Sequence, residues 1–320
     1  MHSGIVAMSR THLSALHARG LVTTRRKLLF SSAALLAPGR TLAASGRNSS
    51  PLKVVASFSI LADLLRNVGG DLIEISTLVG PNADAHVFEP SPADALRLAH
   101  ADLVVVNGLG FEGWLDRLVQ ASGYRGPVVI ASIGVDVRTS GSTPDPHAWQ
   151  DLSHARRYVR NVRDALVRAR PSEARQFHER AARYTDRLSA LDAKVRLSFD
   201  SIPKGARRVI TSHDAFGYFG AAYGIDFLAP HGMSTQGEAS AASVARLVKQ
   251  IRQEGVRALF VENITDSRLI EQIAREGGAV VGGRLYSDAL SPPGTEADTY
   301  LKLFAHNASA IAASLKGRSP

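Results

Sequence analysis

Four short stretches of the sequence place a residue that could bind a metal just beyond an apolar run. His86 lies in the loop GPNADAHVFEP, His147 in DPHAW, His213 in ITSHDAF and Asp288 in LYSDAL. Three imidazoles and one carboxylate are the donor set of a closed, roughly tetrahedral site for a divalent transition metal. The residue types therefore predict that the fold brings these four side chains together around one metal ion.

The other histidines of the chain have different surroundings. Four of them, His100, His154, His178 and His306, fall within helical patterns, where a surface or interhelical role is expected. His231 follows a predicted strand and stays open as a further candidate.

Acidic residues lie one or two positions from each candidate histidine, namely Asp84, Asp145 and Asp214. A carboxylate at such a position can hold the ring nitrogen that does not bind the metal, or it can cap a turn. Both roles are compatible with the sequence.

Short apolar runs that alternate with helix-period segments predict the framework. The predicted strands cover 52–58, 71–79, 102–106 and 127–132, and then 207–211, 225–229, 258–261 and 279–282. This order predicts an α/β fold with two doubly wound parallel-sheet lobes. Ligands of such sheets bind beyond the carboxyl ends of the strands, and His86 lies in such a loop.

A long amphipathic helix is predicted between the two series of strands. Residues 172–200 carry one apolar stripe at three- and four-residue spacing, and at 1.5 Å per residue the helix would be about 42 Å long. This length is typical of a spine that joins two lobes. We therefore expect an N-terminal lobe at 45–170, a linking helix at 171–203 and a C-terminal lobe at 204–320, with the metal cleft between the lobes.

The first 44 residues have the pattern of an export signal. Arg25, Arg26 and Lys27 precede the apolar run 28–38, and small residues follow at 43–45. The arginine pair fits a twin-arginine signal, and an ordinary secretory signal fits equally well. We expect a periplasmic protein, and since the sequence has no cysteine, we expect no lipid-modified cysteine at the cleavage point.

Charge and composition exclude several classes of protein. Six positive charges of the net +9 lie in residues 1–44, which leaves +3 on the rest of the chain. The remaining basic residues are scattered, so we expect no nucleic-acid partner. The absence of cysteine excludes disulfides, thiolate metal sites and cysteine nucleophiles.

The segment Gly108–Gly113 is a literal G-x-G-x-x-G between a predicted strand and a predicted helix, with Asp136 further along. Such a pattern can bind a dinucleotide. Its strand, however, is the third of its lobe, and Glu112 would place a negative charge beside a pyrophosphate.

A zinc hydrolase is a second alternative. If Asp288 did not bind the metal, His86, His147 and His213 would leave one coordination position open, as catalytic zinc sites do. Glu262 could then be the general base. Its other possible role is a hydrogen bond that supports the site, and we favour that role because a fourth ligand is available.

Five segments resemble the motif series of the zinc/manganese-binding solute-binding proteins of ABC transporters, of the zinc-uptake type with a rigid linking helix. They are DAHVFEPSPADA, DPHAWQD, VITSHDAFGYFGAAYGI, LFVENIT and GGRLYSDALSPPGTEADTYLKLF. The resemblance implies a protein that is not an enzyme. It would hold a metal between two α/β lobes through His86, His147, His213 and Asp288, and deliver it to a membrane permease. A periplasmic metallochaperone is a further candidate partner, and we expect a monomer.

Two departures from the family pattern concern loops. Many relatives have a long loop rich in His and Asp before the second ligand, whereas Arg138–Pro146 is short and contains no histidine. Where relatives often have Glu-Pro-Ser, this chain has Glu238, Ala239 and Ser240. Three nitrogen ligands and one oxygen predict Zn(II) as the transported ion, with Mn(II) (or iron) as the alternative, because manganese prefers sites richer in oxygen.

Overall fold

The computed structural model describes residues 50–256 and 258–317, so the predicted export signal at 1–44 lies outside the described residues. Within the described part, no helix combines the length and apolar character needed to cross a bilayer. The predicted fold class is confirmed, since two parallel sheets flanked by helices are joined by a long helix.

The first sheet has four parallel strands in the order β2-β1-β3-β4. They are β1 (Leu52–Phe58), β2 (Ile73–Val79), β3 (Leu103–Val106) and β4 (Val128–Ile130). The central strands β1 and β3 are almost wholly buried, which explains their near-continuous apolar sequence. The strand order reverses between them, and this is where a doubly wound sheet offers a binding crevice.

The second sheet repeats this plan with the order β10-β9-β7-β8, again entirely parallel. Its strands are β7 (Arg208–Ile210), β8 (Asp226–Leu228), β9 (Ala258–Glu262) and β10 (Val281–Leu285). The chain again builds the second strand on one side of the first and the later strands on the other. Both lobes therefore present the same kind of strand-end crevice.

Helices connect the strands and cover the sheets. They are α1 (Ser59–Gly69), α2 (Pro92–Ala99), α3 (Leu115–Ser122), α4 (Leu152–Ala169), α5 (Ala174–Asp200), α6 (Gly217–Tyr223), α7 (Ala241–Glu254), α8 (Arg268–Gly277) and α9 (Tyr300–Leu315). The start of α2 follows from its sequence: Ser91 and Asp94 form a reciprocal capping box, and Pro92 occupies the first turn.

The predicted spine is α5, 27 residues long. Its buried stripe includes Phe177, Tyr184, Leu188 and Phe199, and it packs against helices of both halves of the chain, including α1 and α9. The main hydrophobic core therefore runs from the first sheet through α5 into the second half. A smaller core lies under α7 and α8.

The structure differs from the prediction at three places. The helix predicted after the Gly108–Gly113 segment, α3, begins only at Leu115, because the loop before it folds around Glu112. β10 continues to Leu285 rather than ending at 282, because β9 supplies ladder partners beyond the glycine pair. A small antiparallel hairpin, β5 (Thr139–Ser140) and β6 (Thr143–Pro144), forms in the segment predicted as a loop, turning at Gly141 with φ of 60°.

Candidate metal centre

The four predicted ligand residues come from four separate loops that meet in the cleft. His86 follows β2, His213 follows β7, Asp288 follows β10, and His147 follows the hairpin strand β6. His86 is 6% exposed, and the other three side chains are fully buried. The parallel topology explains the positions of His86, His213 and Asp288, because the carboxyl ends of parallel strands face the same edge of their sheet. His147 is instead placed by the antiparallel hairpin that precedes it.

One potential ligand atom from each residue lies within 4.8 Å of the others. The Nε2 atoms of His86 and His147 are 3.3 Å apart. Oδ2 of Asp288 is 3.2 Å from Nε2 of His86 and 3.2 Å from Nε2 of His213, and Oδ1 is 3.7 Å from Nε2 of His147.

Three of these separations, 3.3, 3.2 and 3.2 Å, match the edges of a coordination tetrahedron. Ligand atoms about 2.0–2.1 Å from a zinc ion at tetrahedral angles lie about 3.3 Å from one another. Among the described residues, neither oxygen of the buried Asp288 carboxylate has a hydrogen-bond partner of good geometry. A buried carboxylate surrounded by imidazoles needs a cation to balance it, and a divalent metal at the centre would supply that charge.

Two of the three histidines are oriented by carboxylates on their far ring nitrogens. Nδ1 of His147 donates to Asp145 Oδ1 over 2.8 Å, and Nδ1 of His213 lies 2.7 Å from Glu262 Oε2. The same two carboxylates also accept from the backbone N–H groups of these histidines. A proton held on Nδ1 leaves the Nε2 lone pair directed at the centre of the cluster.

The charges in this cluster shift its pKa values strongly. Burial alone would lower the pKa of His147, but Asp288 and Asp145 outweigh it and raise this pKa to about 9. For His213, burial is likewise outweighed, by Glu262 and Asp288, and its pKa lies well above the usual value. The pKa of Asp288 is held well below its usual range, because His213 and His147 outweigh the effect of burial. Without a metal, the cluster therefore retains protons that a metal would have to displace.

The loop that carries Asp288 is bound to the N-terminal half of the chain. Trp149 Nε1 and Gln150 Nε2 both donate to the Ser287 carbonyl, over 2.9 and 2.8 Å, and Leu290 N–H donates to Ser59 Oγ. The sequence analysis did not identify these supporting residues. The one signal in the sequence was that Trp149 and Gln150 lie beside the ligand His147 in DPHAWQD. The contacts themselves could not be predicted, because they join positions more than 130 residues apart.

The acidic neighbours divide into different roles. Asp145 holds the ring of His147, whereas Asp84 accepts from the backbone N–H of His86 over 2.8 Å and so caps its turn. Asp214 binds no ligand histidine by a hydrogen bond that the structure records; burial and nearby Asp145 raise its pKa. His231 is partly exposed and lies outside the four-residue cluster.

The glycine-rich segment is organised by its own acid. Backbone N–H groups of Asn107 and Gly108 donate to the buried Glu112 carboxylate, over 2.6 and 3.0 Å, and Ser57 donates to it as well. The carboxylate occupies the position that a phosphate would need at these amides. This arrangement counts against dinucleotide binding. It also explains why an acidic residue, Glu112, stands within the glycine-rich segment.

Two parallel-sheet lobes joined by a long helix, with one buried ligand cluster in the cleft, define the class of binding protein that the motifs predicted. The sequence model of the family described as "Zinc-uptake complex component A periplasmic" (ZnuA) matches residues 54–314. The chain belongs to this family, which confirms the resemblance.

Characterised relatives and a solved structure agree with this assignment. The chain is 32% identical over 288 residues to the metal ABC transporter substrate-binding lipoprotein FimA of Streptococcus parasanguinis, covering 87% of this chain and 92% of FimA. It is 30% identical over 282 residues to the manganese ABC transporter substrate-binding lipoprotein PsaA of Streptococcus pneumoniae, covering 85% and 91%. The structure of the periplasmic zinc binding protein TroA from Treponema pallidum superposes with a TM-score of 0.79 at 32% identity, covering 83% of this chain and 99% of TroA.

The names of these relatives bear on the predicted localisation. FimA and PsaA are named lipoproteins. These names contradict in part the expectation of a protein without a lipid anchor, because relatives in the same family carry one by name. The 320 residues themselves contain no cysteine.

Proposed function

We propose that the protein binds one divalent transition-metal ion as cargo, through His86, His147, His213 and Asp288, and delivers it to the membrane permease of an ABC importer. The observation that carries this proposal is the convergence of four buried ligand atoms within 4.8 Å. The ion is the transported substrate, so the protein binds it and releases it to the permease without a chemical reaction.

The hydrolase alternative has less support. It needs an open coordination position, whereas Asp288 Oδ2 lies 3.2 Å from the Nε2 atoms of both His86 and His213. It also needs a free general base. Glu262 is not free, because its Oε2 lies 2.7 Å from Nδ1 of His213 and its Oε1 accepts from the backbone N–H of the same residue. A closed four-ligand site suits binding rather than catalysis.

We propose Zn(II) as the cargo, with Mn(II) as the second candidate. Three imidazole nitrogens and one carboxylate form a borderline donor set that zinc binds more tightly than manganese, in agreement with the general affinity order. PsaA is named for manganese and TroA for zinc, so the relatives support both metals.

Metal content and competition test this proposal. Residues 45–320, purified without added metal or a histidine tag, are expected to retain one zinc per chain by mass spectrometry. After chelation, zinc should displace manganese at equal concentrations. A protein that takes up manganese preferentially would change the cargo and keep the transport role; a protein that retains no metal would overturn the proposal.

Loss of an outer carboxylate should weaken binding without removing a ligand. Glu262→Gln keeps the size of the side chain but removes the charge that holds the proton on Nδ1 of His213, so zinc affinity is expected to fall about 10- to 100-fold. Competitive titration with a chromophoric chelator measures this change. Glu271→Gln, an exposed position on α8, is the matched control and should leave the affinity unchanged.

We also propose export to the periplasm, function as a monomer, and a periplasmic metallochaperone as a further partner. Under this proposal, 45–170 and 204–320 are the lobes that enclose the ion and 171–203 is their linker. The family description as a periplasmic component supports the compartment.

A further inference from the structure

His86 is held differently from the other three residues of the cluster. His147 and His213 each have a carboxylate on Nδ1, and the Asp288 loop is fixed by buried donors. Among the described residues, no carboxylate pairs with Nδ1 of His86, whose ring instead meets the ring of Phe111 at a centroid distance of 4.8 Å. The position of His86 therefore depends mainly on what holds its backbone.

Two residues from the other lobe hold that backbone. Gln236 Nε2 donates to the carbonyl of His86 over 2.8 Å. Thr235 Oγ1 donates to Asp84 Oδ2 over 2.6 Å, and the other oxygen of Asp84 accepts from the backbone N–H of His86. Both contacts cross the cleft, since the His86 loop follows β2 of the first sheet and Thr235 and Gln236 follow β8 of the second.

The segment that carries these two residues lies beside a cavity. Residues 231–240 form no helix or strand, and Gln236 is exposed. The cavity has a volume of about 450 Å³ and is lined in part by Ser212, His231, Thr235 and Glu238. The segment is also joined to its own lobe, since the backbone N–H of Asp214 donates to the carbonyl of Gly232. A segment beside a cavity has room to move, so its polar contacts to the His86 loop are what keep it against that loop.

We propose that Thr235 and Gln236 are positioning residues that fix His86 from across the cleft and thereby set the rate at which the bound metal leaves. This inference rests on the proposed function. His86 is the ligand whose support is most accessible to solvent, so it separates from the ion first. Metal loss then proceeds from the three remaining ligands.

The test is the rate of zinc loss from the loaded protein. Zinc-loaded wild type, Thr235→Val, Gln236→Leu and the double variant are mixed with excess EDTA and the release of zinc is followed by stopped flow. Removing a hydrogen bond of ordinary strength is expected to speed release by roughly tenfold in each single variant. Thr235→Ser, which keeps the hydroxyl, should restore the wild-type rate, and Gln272→Leu on α8 is a matched control with no contact to the His86 loop.

A double-mutant cycle separates positioning from a general effect on the fold. In a His86→Ala background the ligand is already absent, so Thr235→Val and Gln236→Leu are expected to leave the release rate unchanged. Equal acceleration with and without His86 would overturn the proposal, as would wild-type release rates in the double variant. If wild type itself retains no zinc, the proposed function fails before the positioning role is reached, so the two failures are distinguishable.

Discussion

His213→Ala is expected to lower zinc affinity by more than the 10- to 100-fold that loss of an outer partner typically costs. The substitution removes one of four ligands and also leaves Glu262 as a buried carboxylate without its imidazole partner, 2.7 Å away in the wild type. Because the remaining three ligands cannot close the coordination shell, the substitution destabilises mainly the metal-bound form of the protein. Competitive chelator titration and isothermal calorimetry measure the dissociation constant.

The control for this prediction is His178→Ala, which deletes the same side chain from an exposed position of α5. It should bind zinc as the wild type does. Circular dichroism should show that both variants keep the α/β fold. An unchanged dissociation constant in a folded His213→Ala protein would remove His213 from the site.

Zinc affinity is expected to fall as the pH is lowered from about 9, well above the pH of about 6.5 at which an ordinary histidine begins to compete. An imidazolium, which is protonated on both nitrogens, cannot bind the metal, and Asp288 and Asp145 keep the His147 ring in that form up to about pH 9. Each displaced proton should make affinity change by about tenfold per pH unit. Titrations at intervals between pH 6.5 and 9 measure the slope; a flat profile over this range would contradict the prediction.

The stability of the metal-free protein should have the opposite pH dependence. The pKa of His147 is raised in the folded state, so its contribution to stability is complete below about pH 6.5 and is lost as the pH rises through about 9. The melting temperature of the metal-free protein should therefore fall over this range while the added stability from zinc grows. Thermal unfolding with and without zinc measures both. In Asp145→Asn, which removes one of the charges that raise this pKa, both changes should begin at lower pH.

The sequence by itself determined the fold class and the four members of the cluster. Alternating apolar runs and helical periods identify the β-α order, because a strand buried on both faces of a parallel sheet consists almost entirely of apolar residues. His86, His147, His213 and Asp288 could be selected because each follows an apolar run or sits among turn-forming residues, where a parallel fold places its ligands. Their agreement across two similar halves of the chain made the prediction stronger than any one histidine allows.

Tertiary structure alone decided which acids support the site. Asp84, Asp145 and Asp214 are equivalent in sequence, yet only Asp145 holds an imidazole, while Glu262 performs that role for His213 from 49 positions away. Sequence spacing cannot resolve such choices, because they depend on side-chain directions within a few ångströms. The same holds for Thr235 and Gln236, whose contacts to Asp84 and His86 exist only because the two lobes meet across the cleft.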